Sequence, residues 1–130
     1  MIDKVAWIHL VDGKVLSTRS KGKDTYYLPG GKRESGESDL DTLEREISEE
    51  LSVRVDRDAA RHVGTFEAQA HGHAEGTTVR MSCYSAPYSG TLRADSEIDE
   101  IVWLTSADSD RVSPVDRIIF AHLAASGLMS

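Results

Sequence analysis

The chain is short of several things that would each have named a class. Its 130 residues include a single cysteine, Cys83, so neither an intrachain disulfide nor a cysteine-built zinc cluster is available. It has no basic excess either: 15 Lys and Arg stand against 22 Asp and Glu, a net charge of -7. That argues against a nucleic-acid duplex as the main partner, because neutralising its backbone takes a basic face. A small phosphorylated ligand stays open, since a bound divalent cation inverts the local field. Long apolar runs are missing too. The opening MIDKVAWIHLVDGK places Asp3 and Lys4 early and carries only a short apolar run, unlike a secretory leader or a membrane span. A cytoplasmic location with no membrane partner is the expectation. No low-complexity tract, repeat or linker divides the sequence, so residues 1–130 read as one domain, long enough to bury a core.

The familiar phosphate and hydrolase motifs are absent as well. A Walker loop ending at Gly31-Lys32 needs glycine where Tyr26 stands, and Arg33 replaces its hydroxyl residue. There is no G-x-G-x-x-G, no H-E-x-x-H and no serine-hydrolase elbow.

What is present is a regular alternation of strand and helix signals. DKVAWIHLV is a β-branched and aromatic run ending at Asp12-Gly13, a two-residue hairpin turn, with KVLSTRS as the return strand. YYLPGGK reads as a short strand entering a Pro-Gly-Gly turn. HVGTFEAQA and TTVRMSCYSAPY read as two strands joined by the turn HGHAEG, and EIDEIVWLT as another, led by acids. Residues 38–51 set Leu40, Leu43, Ile47 and Leu51 on one helical stripe. Residues 114–126 open with Ser113-Pro114, an N-cap followed by proline, and close before Gly127. Strands on either side of a central helix, with a second helix at the end, predict a mixed α/β domain.

The first helix holds the densest charge. In REISEELS, Glu46, Glu49 and Glu50 fall within about 100° of arc, largely opposite the apolar stripe, where like charges repel. A solvated acidic face is one reading. Three carboxylates converging from one rigid helix also suit a hard cation such as Mg²⁺ or Mn²⁺. The preceding residues bear on the choice. LPGGKRESGESDLDTLEREISEELSV resembles the Nudix box, G-x5-E-x7-R-E-U-x-E-E-x-G-U with U aliphatic. Gly31, Glu37, Arg45, Glu46, Ile47, Glu49, Glu50 and Val53 fall in register, and Ser52 alone departs, standing where the family has glycine. The sequence is similar to Nudix hydrolases of the compact MutT-like sort.

That resemblance implies a Nudix fold, a mixed β-sheet between helices in three α/β/α layers, and Mg²⁺-dependent cleavage of a nucleoside diphosphate linked to a further group. Mn²⁺ is the expected substitute. Glu46, Glu49 and Glu50 are then metal ligands, with Glu49 and Glu50 also catalytic. Gly30-Gly31 lets backbone approach metal and phosphates, with a Gly31 carbonyl as a further ligand. Glu37 pairs with Arg45, which makes Arg45 part of the catalytic constellation and locks the loop onto the helix. The size of the chain favours a nucleoside triphosphate, deoxy or oxidised forms included, cleaved to monophosphate and pyrophosphate. Alternatives are an ADP-ribose or dinucleoside polyphosphate hydrolase, a non-hydrolysing nucleotide sensor, and a structural cation site. The region AQAHGHA has neither the proline nor the tyrosine that marks the first two. Monomer and homodimer both fit the family.

Beyond the box, Arg19 and Lys32 are expected at the entrance, contacting phosphates, while Lys21 and Lys23 are incidental. EIDEIVWL resembles the E-I-x-E-x-x-W segment of many Nudix enzymes, where an acid joins the metal or serves as general base. Glu97 is the first choice and Glu100 the alternative. Asp116 has two readings: N3 of a capping box with Ser113, or a base-reading carboxylate accepting from an exocyclic amine. His71 and His73 are expected in solvent, and His9 in the core or a pocket wall. His122 is expected near a helix C-terminus, where partial positive charge is favoured. Tyr26, Tyr27, Phe66 and Trp103 are expected in the core, with Tyr27 and Phe66 available for stacking on a base.

Overall fold

The computed structural model describes residues 1–130. In chain order the elements are β1 (Ile2–Trp7), β2 (Leu10–Val11), β3 (Lys14–Ser20), β4 (Gly30–Lys32), α1 (Asp39–Leu51), β5 (Arg54–Val55), β6 (Arg61–Gln69), β7 (Thr78–Ser85), β8 (Tyr88–Ser89), β9 (Ile98–Leu104) and α2 (Pro114–Ala125). Short 3₁₀ turns cover Arg57–Ala59 and Ser106–Arg111. The mixed sheet runs β4-β1-β7-β6, with β1 and β7 parallel and the outer pairs antiparallel. A second sheet runs β2-β3-β9 and a two-stranded ribbon joins β5 to β8.

Strand β1 explains the layering. Side chains alternate faces along a strand, and here both faces are buried. Val5 and Trp7 enter one core with Leu43, Ile47 and Leu51 of α1, while Ala6 and the following Ile8 enter another with Ile119, Phe120 and Leu123 of α2. The sheet therefore lies between the two helices, as the α/β/α expectation has it.

Local chemistry sets most boundaries. Asp12 and Gly13 both have positive φ, 53° and 77°, as a type I′ hairpin turn requires. Helix α1 starts at Ser38, whose hydroxyl accepts from the Asp41 N–H while the Asp41 side chain accepts from the Ser38 N–H, a capping box. It ends at Ser52, in the left-handed region (φ 62°, ψ 25°), where glycine sits without strain. The Ser52 N–H still donates to Ser48 O, and its hydroxyl donates to Asp95 at 2.9 Å.

Three expectations are corrected. Tyr26 and Tyr27 make only isolated bridges, and the glycines form the strand: β4 pairs with β1 through Gly30 and Gly31. A Cβ on Gly30 would land on the Val5 carbonyl oxygen, so only glycine allows that approach. β7 ends at Ser85, before Ala86-Pro87, and Tyr88 joins the small ribbon instead. Trp103 is 39% exposed on the outer face of β9, against His9, because alternation sends its neighbour Leu104 inward.

Candidate active site

The Pro-Gly-Gly segment, the polar face of α1, the start of β9 and the β6–β7 turn surround a cleft of about 810 Å³. Gly30, Gly31, Lys32, Glu46, Glu50 and Glu97 line it, joined by Lys4, Lys23, Tyr27, His71 and His73. A smaller cavity of about 260 Å³ shares Lys4, Tyr27, Lys32, His71 and His73, and extends to Gln69, Val79 and Ser113. Another opening, about 640 Å³ beside His9, has Asp58 and Arg61 but no converging carboxylates. The chemistry belongs to the first two.

Glu50 is the central group. It is buried, accepts from the Gly30 N–H at 3.3 Å, and has Glu46 beside it. Burial, then the neighbouring Glu46, raises its pKa far above the carboxylate range. Two carboxylates so placed need a proton or a cation between them. Gly31 makes room for this: a Cβ there would fall on the Glu46 carboxylate.

Arg45 organises the rest. Its Nε donates to Glu37 Oε2 at 2.7 Å and Nη2 to Glu37 Oε1 at 2.9 Å, a two-pronged pair of the kind arginine favours. Nη2 also reaches the Lys32 carbonyl at 3.1 Å, and Nη1 donates to Glu46 at 2.6 Å. The Arg45 hydrogen bonds, with the Glu34 N–H, hold the Glu37 carboxyl well below its usual range. Loop, β4 and α1 are thus tied by one guanidinium, which does not line the cleft. Glu49, at 54% side-chain exposure, lies 3.7 Å from Arg45 and outside the cleft lining. Glu46, Glu49 and Glu50 therefore do not close into a ready three-acid cluster. Arg45 engages Glu46, which still lines the cleft beside Glu50, and lies near Glu49, which does not.

The acids of β9 separate cleanly. Glu97 lines the cleft, whereas Glu100 accepts from Arg19 Nε at 2.9 Å and from the Tyr26 hydroxyl at 2.5 Å. Arg19, expected to meet phosphates, is instead committed to Glu100, Asp99 at 2.6 Å and the Lys23 carbonyl. The β3–β9 register sets Arg19 directly opposite Glu100, which accounts for the change. Lys23, read as incidental, lines the cleft.

Asp116 follows neither of its two readings. Ser113 occupies the N-cap position but makes no side-chain cap bond, so the capping box does not form. The Asp116 carboxylate is fully buried and accepts from the Leu28 N–H at 2.8 Å, anchoring the segment that leads into β4. It lines neither cavity; its Oδ1 and the Ser113 Oγ have no hydrogen-bond partner of good geometry. Burial pushes its pKa up to about 7, against the pull of the Leu28 N–H and Lys4.

Among the aromatics, Tyr27 lines both cavities, while Phe66 packs against His122 and the core, away from them. His9 stacks on Trp7 at 4.6 Å and is a pocket-wall residue of the remote opening. Sequence reasoning missed Lys4; His71 and His73 are solvent-exposed, as expected, but also line the cleft, which was not foreseen. The turn between β6 and β7 folds His71 back to Thr25, at 3.3 Å, and to the edge of Tyr27. No local pattern signals that long-range return.

Comparison with known proteins agrees with this arrangement. The NUDIX domain model matches residues 2–123. A MutT-like protein of Streptomyces ambofaciens is 30% identical over 105 residues, 80% of this chain and 64% of that protein. The chain spans less than two thirds of the length of the curated relatives it matches. The solution structure of the E. coli ORF135 protein superposes with a TM-score of 0.75 at 28% identity, covering 97% of this chain and 92% of that one. The crystal structure of a MutT NUDIX hydrolase from Burkholderia pseudomallei gives 0.74 at 22% identity, covering 92% and 95%, a likeness of fold. With the box in register and its arginine clamp closed, the chain belongs to the NUDIX domain family.

Proposed function

We propose that the chain is a Mg²⁺-dependent pyrophosphohydrolase that cleaves a nucleoside triphosphate, deoxy or modified forms included, to monophosphate and pyrophosphate. The observation that carries this reading is Glu50, a buried carboxylate beside Glu46 under the Gly30-Gly31 backbone and open to a cleft. The donor set fits a hard divalent cation: it is all oxygen, and the like-charge cost at Glu50 is relieved when a cation replaces the proton. Glu46 and Glu50 would hold it, with Glu49 swinging in from the exposed side and a Gly31 carbonyl and Glu97 adjoining. Once bound there, Mg²⁺, or Mn²⁺ in its place, neutralises phosphoryl charge and acidifies water.

The chain's own residues do the rest. Arg45 holds Glu37, Glu46 and the Lys32 carbonyl in a fixed frame, a positioning role. Glu97 forms no side-chain hydrogen bond and faces the cleft, so it can take the proton of the attacking water, whereas Glu100 is engaged by Arg19 and Tyr26. Lys32 offers a cation to the phosphates. Tyr27 offers a ring to the base. A pyrophosphate-release screen over nucleoside triphosphates with Mg²⁺ tests the proposal. Turnover that vanishes in EDTA and in Glu50→Gln supports it; retained nucleotide binding with no turnover of any substrate would overturn it.

A further inference from the structure

Lys4 carries no motif in the sequence, yet it stands where the two cavities meet. In β1 it lies directly opposite Lys32 of β4, with Met81 of β7 on its other side. Directly paired residues share a sheet face, and like charges so placed destabilise a sheet. Lys32 lines the same two cavities. The Lys4 ammonium has no ion pair and no hydrogen bond; its neighbour is the Tyr27 ring, 5.9 Å away. Asp116, then Glu50 and Glu46, attract it, but none makes an ion pair with it, and Asp116 is sealed behind the Leu28 N–H. A largely buried ammonium without a partner, facing a second ammonium across a strand pair, is an arrangement an anion completes.

Position says which anion. The Glu46 and Glu50 end of the cleft is acidic, and repels a phosphate that no cation bridges. The lysine pair adjoins that end, within the attraction of Glu50 and Glu46, at the place where the cleft opens into the smaller cavity beside Tyr27 and Gln69. We propose that Lys4 and Lys32 form a cross-strand seat for the phosphate attached to the nucleoside, the one that stays on the monophosphate product, with the nucleoside in the smaller cavity. This rests on the reading that a nucleotide occupies the cleft.

Binding measured in EDTA separates the two readings. Adenosine and cytidine are titrated by calorimetry against their 5′-monophosphates. Wild type binds each monophosphate about tenfold or more tighter than its nucleoside, a gap that narrows with salt. Lys4→Met brings the gap to within about twofold while nucleoside affinity holds, and Lys4→Arg restores part of it. Should Lys4→Met fail to fold by circular dichroism, Lys32→Gln, on the exposed side, carries the same expectation. Equal binding of nucleoside and monophosphate by wild type, binding of neither, or a gap unchanged in the folded variants overturns the seat. A gap lost in Lys4→Met, with no triphosphate turned over by wild type, keeps the seat and removes the hydrolase reading. Turnover with the gap unchanged does the reverse.

Discussion

Asp116 carries a charge that its surroundings oppose. Its carboxyl ionises at about 7 in the fold, against about 3.9 in an unfolded chain. Between those values the native state keeps a proton the unfolded state has released, so stability falls as pH rises across the window. Glu37 works in the opposite sense at lower pH: its depressed value stabilises the fold above the ordinary carboxylate range and is lost on acidification. The melting temperature in EDTA should therefore decline from about pH 4 upward, with Asp116 contributing up to about pH 7 and Glu50, raised further, beyond it. Asp116→Asn, which keeps an acceptor for the Leu28 N–H, should make the decline below about pH 7 shallower without abolishing it. An unaltered slope in the variant would assign the proton to another group. The two box glutamates differ in a measurable way too. Glu50→Gln removes the cost of holding a buried carboxyl protonated beside Glu46, and should raise the metal-free melting temperature near neutral pH while erasing the Mg²⁺-induced rise. Glu49→Gln, on an exposed side chain, should leave metal-free melting nearly unchanged and still lower turnover by orders of magnitude. If both variants melt alike with and without Mg²⁺, Glu50 is not the seat of the cation.

Helix α1 is the element in which structure and chemistry are least separable. Its apolar stripe of Leu43, Ile47 and Leu51 is fully buried, and its opposite face carries the acids. A capping box with aspartate at N3 forms here, at Ser38 and Asp41, while the same Ser-x-x-Asp spacing at Ser113 and Asp116 forms none. Ser52 was legible as an oddity, and the left-handed turn persists despite it. A non-glycine residue there costs about 1–2 kcal/mol, and the hydroxyl bond to Asp95 returns part of that. Ser52→Ala keeps the strain and loses the bond, so denaturant melts should place it about 1 kcal/mol below wild type and further below Ser52→Gly. Alanine at or above glycine would mean the turn relaxes. The acidic cluster was readable from fixed spacing on one helix, and the Glu37–Arg45 clamp and the glycine approach from the resemblance to the Nudix box. Arg19, Lys4 and Asp116 were not, since cross-strand register and α2 packing decide their partners.

At the scale of the molecule, β1 joins the two halves. Val5 and Trp7 belong to the α1 core, and Ala6 with Ile8 to the α2 core, so neither helix is packed against a sheet of its own. Trp7 is tied further, its indole N–H donating to the Ala86 carbonyl at 3.1 Å. The cleft is framed by both halves: Glu46 and Glu50 come from α1, while Asp116 of α2 anchors the Leu28 backbone that leads into Gly30 and Gly31. Strand and helix periods, being local, were enough for a mixed α/β domain, while the three layers came from the resemblance to the Nudix family. Neither showed that one strand serves both cores, which follows from a continuous apolar run that periodicity cannot assign to a face. Shared packing predicts shared unfolding. Leu43→Ala, at a fully buried position of α1, should cost about 2–5 kcal/mol, and Phe120→Ala of α2 about 3–5 kcal/mol. Native-state hydrogen exchange should then show the protected amides of α1 and α2 losing protection together in either variant, by the same free energy. If Leu43→Ala loosens α1 while the α2 amides keep wild-type protection, the halves unfold separately. The cleft's frame would then be two units in contact, with β1 belonging to only one of them.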